Sequence, residues 1–317
     1  INRLCASGMS AVINAHIAIQ TGDGNLFSAG GIENMTRGPW VISKVSKAFG
    51  RDAQMFDSSF GWRFINPKMK ELYGVDGMGT TAENLAEKYN ISREDQDNFA
   101  YHSQLKAYKA QSLGRLSEEI VPVEIPQRKK EPILFKHDEF IKGNTKVEVL
   151  AKLRTAFKKE GGTVTAGNSS GLNDGAAAML LASENGVKEH NLSPIAKIIS
   201  SAVVGVEPRI MGIGPVKASN KALEKAGLKM EDIDIIELNE AFSAQALACI
   251  REWGLDDNDP RINPNGGAIA IGHPLGVSGT RIIHTAAIEL HKQNKKYALI
   301  TMCVGLGQGY ATIIEKV

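Results

Sequence analysis

Residues 2–19 read NRLCASGMSAVINAHIAI, and residues 273–288 read HPLGVSGTRIIHTAAI. Starting from Cys5 and from His273, the two stretches share one pattern. A reactive side chain is followed by two compact residues, a glycine, an apolar residue, a serine, a small residue and an apolar helix. A second pair behaves alike: SSGLNDGAAAMLL at 169–181 resembles CVGLGQGYATII at 303–314 and sets Ser169 opposite Cys303. Duplication of this kind implies two similar units related by a pseudo-twofold axis, with Cys5 and His273 meeting in the middle.

Cys5 taken alone reads two ways. Free cysteines are more often buried than reactive. Yet Ala6, Ser7 and Gly8 permit a tight approach, and a thiol entering a helix faces free amides and the positive end of the helix dipole. That reading predicts a thiol that ionises near neutral pH.

Bulk properties narrow the classes. A chain of 317 residues has room for two domains or one large α/β unit. The 43% hydrophobic and 23% charged residues are the balance of an ordinary globular protein. A net charge of +2 gives no case for nucleic acid, and no window has the length and apolarity of a membrane span. Cys5, Cys249 and Cys303 form no disulfide framework, which fits a reducing, cytoplasmic setting. No Cys/His spacing suits zinc, so no metal is expected. The chain opens at Ile1 directly on a motif, so an upstream targeting segment is left open.

Alternating apolar runs and helical periods predict an α/β fold with a mainly parallel sheet. A first helix is expected over Ser10–Gln20, and a buried strand in NLFSAGGIENM. Residues 36–171 change character and read as an inserted loop domain. It holds a helix at SREDQDNFAYHSQLKAYKAQS, capped by Ser92 with Asp95, and extended excursions in IVPVEIPQRKKEPILFKHDEF. Residues 1–35 and 172–192 read as one half of the duplicated core and 193–317 as the other. Pro215 and Gly227 bracket a helix. The helix after Asn239 shows a stripe of Phe242, Ala246, Cys249, Ile250 and Trp253, which makes Cys249 a core residue.

Four short stretches carry candidate chemistry: LCASG with Cys5, NEAF with Asn239 and Glu240, GGAIAIGHPLG with His273, and CVGLGQG with Cys303. Together, in this order, they closely resemble the thiolase family, over essentially the whole chain. The resemblance implies duplicated βαβαβαββ layers with the inserted loop domain, and opening elements of the first half missing from this chain. It implies cleavage of a 3-oxoacyl-CoA by CoA through an acyl-cysteine, with coenzyme A as co-substrate and no permanently bound cofactor. Cys5 would be the nucleophile, activated by His273, and Cys303 the second acid/base, its ordinary acidity suiting proton shuttling. Asn239, holding a water, would form one oxyanion hole with His273, and the amides of Cys5 and Gly305 the other. Glu240 would orient neighbours. Ser170 would contact the pantetheine arm, while Met78, Met211 and Phe242 would line the acyl pocket. Lys142 reads as a solvated charge more than a phosphate contact.

Departures from the family pattern bear on substrate. Gly77 stands where many acetoacetyl-CoA thiolases carry a histidine, which makes room. FGWRFINPKMKELYGVDGM and Leu306 look more like the 3-oxoadipyl-CoA thiolases, and a dicarboxylic acyl chain would need a cation, for which Arg63 or Lys68 are candidates. The alternatives are an acetoacetyl-CoA thiolase, a general β-oxidation thiolase, a decarboxylating ketoacyl synthase, or an inactive acyl-CoA-binding copy. Cys303 stands where a synthase would resemble a Cys-His-His set, and GLGQG and GIGPV do not form a dinucleotide fingerprint. The expected partners are acyl-CoA, CoA and further copies of the chain, as a homodimer or homotetramer.

Overall fold

In the computed structural model, which describes residues 1–317, Cys5 lies in a single turn of 3-10 helix, Leu4–Ala6, that runs straight into α1 (Ser7–Thr21). The helix begins three residues earlier than the sequence predicts because Ser7 closes its first turn: Oγ accepts from the Arg3 amide at 2.8 Å and donates to the Leu4 carbonyl at 2.7 Å. Gly22, at φ 82°, ends it.

β1 (Leu26–Glu33) is a strand as expected, but only Ala29 is fully buried and Ile32 is exposed. Between β1 and the strand it pairs with lie β2 (Trp40–Ile42), β3 (Met55–Asp57), α2 (Pro67–Tyr73), α3 (Met78–Lys88) and α4 (Arg93–Ser112). β4 (Val123–Gln127), β5 (Lys130–Phe135) and α5 (Val147–Leu150) complete this excursion. Ser92 and Asp95 make the reciprocal cap of α4, at 3.0 and 3.1 Å. β6 (Gly175–Ala182) then pairs antiparallel with β1, with Glu33 opposite Gly175. Residues 34–174 therefore leave and re-enter the sheet at one rung.

After α6 (Glu184–Glu189) come β7 (Ala196–Gly205), α7 (Gly214–Ala226), β8 (Ile235–Leu238), α8 (Ser243–Glu252) and α9 (Ala268–Ile271). α10 (Leu275–Lys292), β9 (Tyr297–Val304) and β10 (Gln308–Lys316) close the chain. The four-stranded sheet has the order β7-β10-β9-β8. Its pairings are not mainly parallel: β7–β10 and β10–β9 are antiparallel and only β8–β9 is parallel. β9 and β10 are joined by residues 305–307, too few for the crossover that parallel strands need. α8 is buried around its whole circumference from Ser243 to Ile250, while Trp253, expected in its apolar stripe, is half-exposed. No helix is long and apolar enough to cross a membrane.

The repeat is visible in space. α1 leads to the antiparallel pair β1–β6, and α10 leads to the antiparallel pair β9–β10. α1 and α10 pack on each other between the two sheets, and α7 covers the far face of the larger one. The helices cross at backbone contact: a Cβ on Gly8 would stand 2.6 Å from the Gly276 carbonyl oxygen. Gly8 and Gly276 are the matching glycines of the two motifs, and Cys5 and His273 each stand three residues before them.

Candidate active site

Parallel β8 and β9 release their following residues at one sheet edge, where α/β folds place ligands. Asn239 and Glu240 follow β8; Cys303 is the penultimate residue of β9, and Gly305 comes just after it. The Asn239 amide donates to the Thr301 carbonyl at 3.0 Å, which fastens the two strand ends together. The turn of Cys5 packs against β9, which brings the Gly305 amide to bear on the Cys5 thiol and favours its ionised form.

Burial pushes the Cys5 thiol up to about 11; the Gly305 and Cys5 amides oppose this, and the Glu33 carboxylate adds to it. The expectation of a thiol ionised near neutrality is thus corrected. Loss of water costs the thiolate more than two amides return. Glu33 has its own place, accepting from the Gly276 amide at 2.9 Å in the first turn of α10. Cys303 is buried too, and its thiol lies well above its ordinary value, first from burial and then from the proximity of Cys5 and Cys249. Negative charge on Cys5 therefore opposes ionisation of Cys303.

His273 has a defined tautomer. Its Nδ1 lies 2.7 Å from Ser278 Oγ, and that hydroxyl donates to the Pro274 carbonyl at 3.1 Å. The serine thus has only lone pairs to offer, so Nδ1 carries the hydrogen and Nε2 is the free base. Asn239 Nδ2 points at Nε2 from 3.3 Å. Burial lowers His273 to about 4, with the Arg281 charge adding to the effect, so the imidazole is neutral at physiological pH. The backbone before it is fixed by Gly272 at φ 106°, where a Cβ would meet Asn173 at 2.5 Å; Asn173 Oδ1 accepts from the His273 amide at 3.3 Å. Ser278 and Asn173 were not identified from sequence, although Ser278 occupies the serine slot of the repeated motif.

Glu240 is buried and accepts from Ser103 Oγ at 2.6 Å, Asn263 Nδ2 at 2.7 Å and the Ile269 amide at 3.2 Å. Its carboxylate ties the excursion, through α4, to the loop preceding His273. Cys249 donates to the Gly212 carbonyl at 3.2 Å within the same buried cluster as Cys303.

The remaining candidates divide. Met211 and Phe242 belong to the same buried cluster as Cys303, with Met78 packed against it. Phe157 meets Phe242 edge-on at 6.1 Å, a contact with no local motif to announce it. The Ser170 amide donates to the Ala241 carbonyl at 3.0 Å, laying the GNSSG strip beside NEAF. Gly77 faces open space. Lys142 lies over the Phe140 ring at 5.3 Å. A shallow recess opens beside Met78 and Leu306, and neither Arg63 nor Lys68 lines it. Arg63 Nη1 donates to the Gly61 carbonyl at 2.5 Å, and Lys68 is exposed on α2. The cation in the recess wall is Arg209.

Comparison with known proteins points one way. Residues 1–185 match the family described as "Thiolase, N-terminal domain" and residues 192–316 match "Thiolase, C-terminal domain". The chain is 55% identical over its full length to the beta-ketoadipyl-CoA thiolase of Acinetobacter baylyi, covering 79% of that protein. It is 54% identical, with the same coverage, to the 3-oxoadipyl-CoA/3-oxo-5,6-dehydrosuberyl-CoA thiolase of Escherichia coli (strain K12). Among solved structures, human mitochondrial 3-ketoacyl-CoA thiolase in complex with CoA superposes with a TM-score of 0.90 at 42% identity, covering 100% of this chain and 77% of the human one.

Proposed function

The chain belongs to the thiolase family, and from that premise we propose that it cleaves 3-oxoacyl-CoA with CoA, with 3-oxoadipyl-CoA as its substrate and acetyl-CoA and succinyl-CoA as products. What supports this reading is the turn of Cys5 packed against both β9 and α10, with the Gly305 amide acting on its thiol, together with the Asn239–His273 contact after β8 and before α10.

Both partners rest uncharged, since Cys5 lies up at about 11 and His273 down at about 4. In this reading Nε2 takes the thiol proton as sulfur attacks the keto carbon. The alkoxide forms on the keto oxygen beside the Cys5 and Gly305 amides, and the proton received turns Nε2 into a donor to the thioester oxygen of the acetyl-CoA part, where charge gathers as the enolate leaves. Asn239 adds a second donor through a water, and its Oδ1, buried with no protein partner, is suited to hold one. The carbon–carbon bond then breaks, and Cys303 protonates the departing acetyl-CoA enolate. Cys303, now a thiolate, takes the proton of the incoming CoA thiol. CoA sulfur attacks the acyl-cysteine, the same oxygen becomes an oxyanion to which the Cys5 and Gly305 amides donate, and its collapse breaks the bond to Cys5, whose thiolate takes its proton back from His273. Ser170 guides the pantetheine arm, and Met78, Met211 and Phe242 flank the acyl chain.

Support for 3-oxoadipyl-CoA comes from the names of the relatives above, the open space at Gly77 and the leucine at 306. Three free cysteines and a CoA-linked reaction fit the cytoplasm. Self-association fits the uncovered apolar side chains Ile32 and Leu180 on β1 and β6.

The test is acyl trapping. Incubation with acetyl-CoA followed by peptide mass spectrometry should place an acetyl group on Cys5 and none on Cys249. An adduct absent from Cys5, in protein that binds CoA, would refute the reading.

A further inference from the structure

The recess beside Met78 is walled by Trp62, Tyr73, Asp76, Met78, Arg209 and Leu306, among others. Its only charged walls are Asp76 and Arg209. Arg209 Nε donates to Asp76 Oδ2 at 2.9 Å. Asn84 Nδ2 donates to the same Asp76 oxygen at 2.9 Å and to the Arg209 carbonyl at 2.8 Å, so one amide on α3 locks both residues. The guanidinium is thereby held by one nitrogen. Nη1 and Nη2 have no protein partner, and the side chain is 56% exposed. Such a fork presents two parallel N–H bonds, a match for a carboxylate.

The recess also adjoins the turn after β9 that carries Gly305, because Leu306 of that turn lines it. Leu306 follows Gly305, whose amide acts on the Cys5 thiol, and it occupies a left-handed conformation at φ 68°. An L-residue there costs about 1–2 kcal/mol, and this one turns an apolar side chain into the recess wall. The acyl group left on sulfur by 3-oxoadipyl-CoA is a succinyl unit. Only three carbon–carbon bonds of about 1.5 Å separate its thioester carbon from its carboxylate carbon. A cation serving that carboxylate must therefore stand within one side-chain length of the nucleophile, on the side of Gly305. Arg209 is the cation in the cavity that Leu306 lines.

We infer that Arg209, oriented by Asp76, is the specificity-determining residue that grips the terminal carboxylate of the acyl chain through Nη1 and Nη2. The inference deepens the proposed reaction and rests on its substrate reading. The grip is the same in ground and transition states, so its loss appears chiefly in KM.

The experiment compares 3-oxoadipyl-CoA with neutral 3-oxohexanoyl-CoA, of the same chain length, in wild type, Arg209→Met, Arg209→Lys and Asp76→Asn. In Arg209→Met the ratio of kcat/KM, acid over neutral, should fall by about 30-fold, the scale of a charge-assisted bidentate hydrogen bond. Arg209→Lys should recover part of the ratio, and Asp76→Asn should fall between. A wild-type preference for the acid that survives in Arg209→Met overturns this inference alone. Equal losses on both substrates, in kcat, make Arg209 a structural residue and also overturn it. A wild type that cleaves only the neutral substrate overturns both this inference and the substrate reading. Should Arg209→Met not fold, a Lys variant with an unchanged KM split would overturn the bidentate grip.

Discussion

Replacing Gly8 by alanine tests the link between the repeat and the catalytic arrangement. The new Cβ would stand 2.6 Å from the Gly276 carbonyl oxygen, 2.7 Å from Thr280 Oγ1 and 3.0 Å from the Thr280 amide. Ordinary contact begins at 3.4 Å, so α1 and α10 must separate by about 0.8 Å at their crossing. Overpacking of this size costs about 1–3 kcal/mol, and the better helix propensity of alanine returns about 1 kcal/mol. The net destabilisation is thus modest, on the order of 1 kcal/mol. Catalysis should suffer far more, because Cys5 and His273 each sit three residues from the contact, and a displacement of about 1 Å costs about 100-fold. Thermal melting and thiolysis rates on the same preparation measure both quantities. Gly205→Ala, where a Cβ meets nothing within 4 Å, serves as the control. A Gly8→Ala enzyme with wild-type kcat would show that the helix crossing does not set the catalytic geometry.

Two further outcomes follow from His273. Ser278→Ala removes the acceptor that fixes the Nδ1–H tautomer, and kcat should fall about 10- to 100-fold with KM nearly unchanged; unchanged kcat at neutral pH would refute the tautomer assignment. The lowering of His273 from 6.5 to about 4 means that the unfolded chain binds a proton the folded chain refuses within that window. The His273 contribution should be level above pH 6.5 and fall by about 3 kcal/mol between 6.5 and 4, superposed on the opposite slope from buried Glu237, raised to about 8. Denaturant titrations of wild type and His273→Gln check this, because the variant should lack that part of the slope.

The residues of the candidate site were legible because each sits in a compact motif directly beside a strand or helix end. CASG, NEAF, GHPLG and CVGLG mark four such ends, and the pairing of the two glycine-bearing helix starts was visible as a repeat. Quantities set by the surroundings were not legible. The helix start at Cys5 argued for an acidic thiol, but desolvation depends on what covers it, and β9 with its turn covers it closely. Strand direction was misread because alternation of elements says nothing about the final hairpin, whose three-residue turn forbids a crossover. Trp253 fits the helical stripe yet lies where α8 emerges from the core. Arg209 and Asp76 stand 133 residues apart, and neither carries a local pattern. Arg63 and Lys68 lie nearer in sequence to Met78, but their backbone takes them elsewhere.

The rung between Glu33 and Gly175 has an evolutionary corollary. A segment that leaves and returns at a single rung can be exchanged without disturbing the strands, provided that it keeps the contacts of α3 and α4 with the core, such as Ser103 on Glu240. Foreign excursions grafted there would bring their own Trp62-, Tyr73- and Asp76-like walls to meet an unchanged Arg209 and Leu306. A graft lacking an acid at position 76 would leave the guanidinium without an anchor, so transplanted selectivity demands a matched change across the seam.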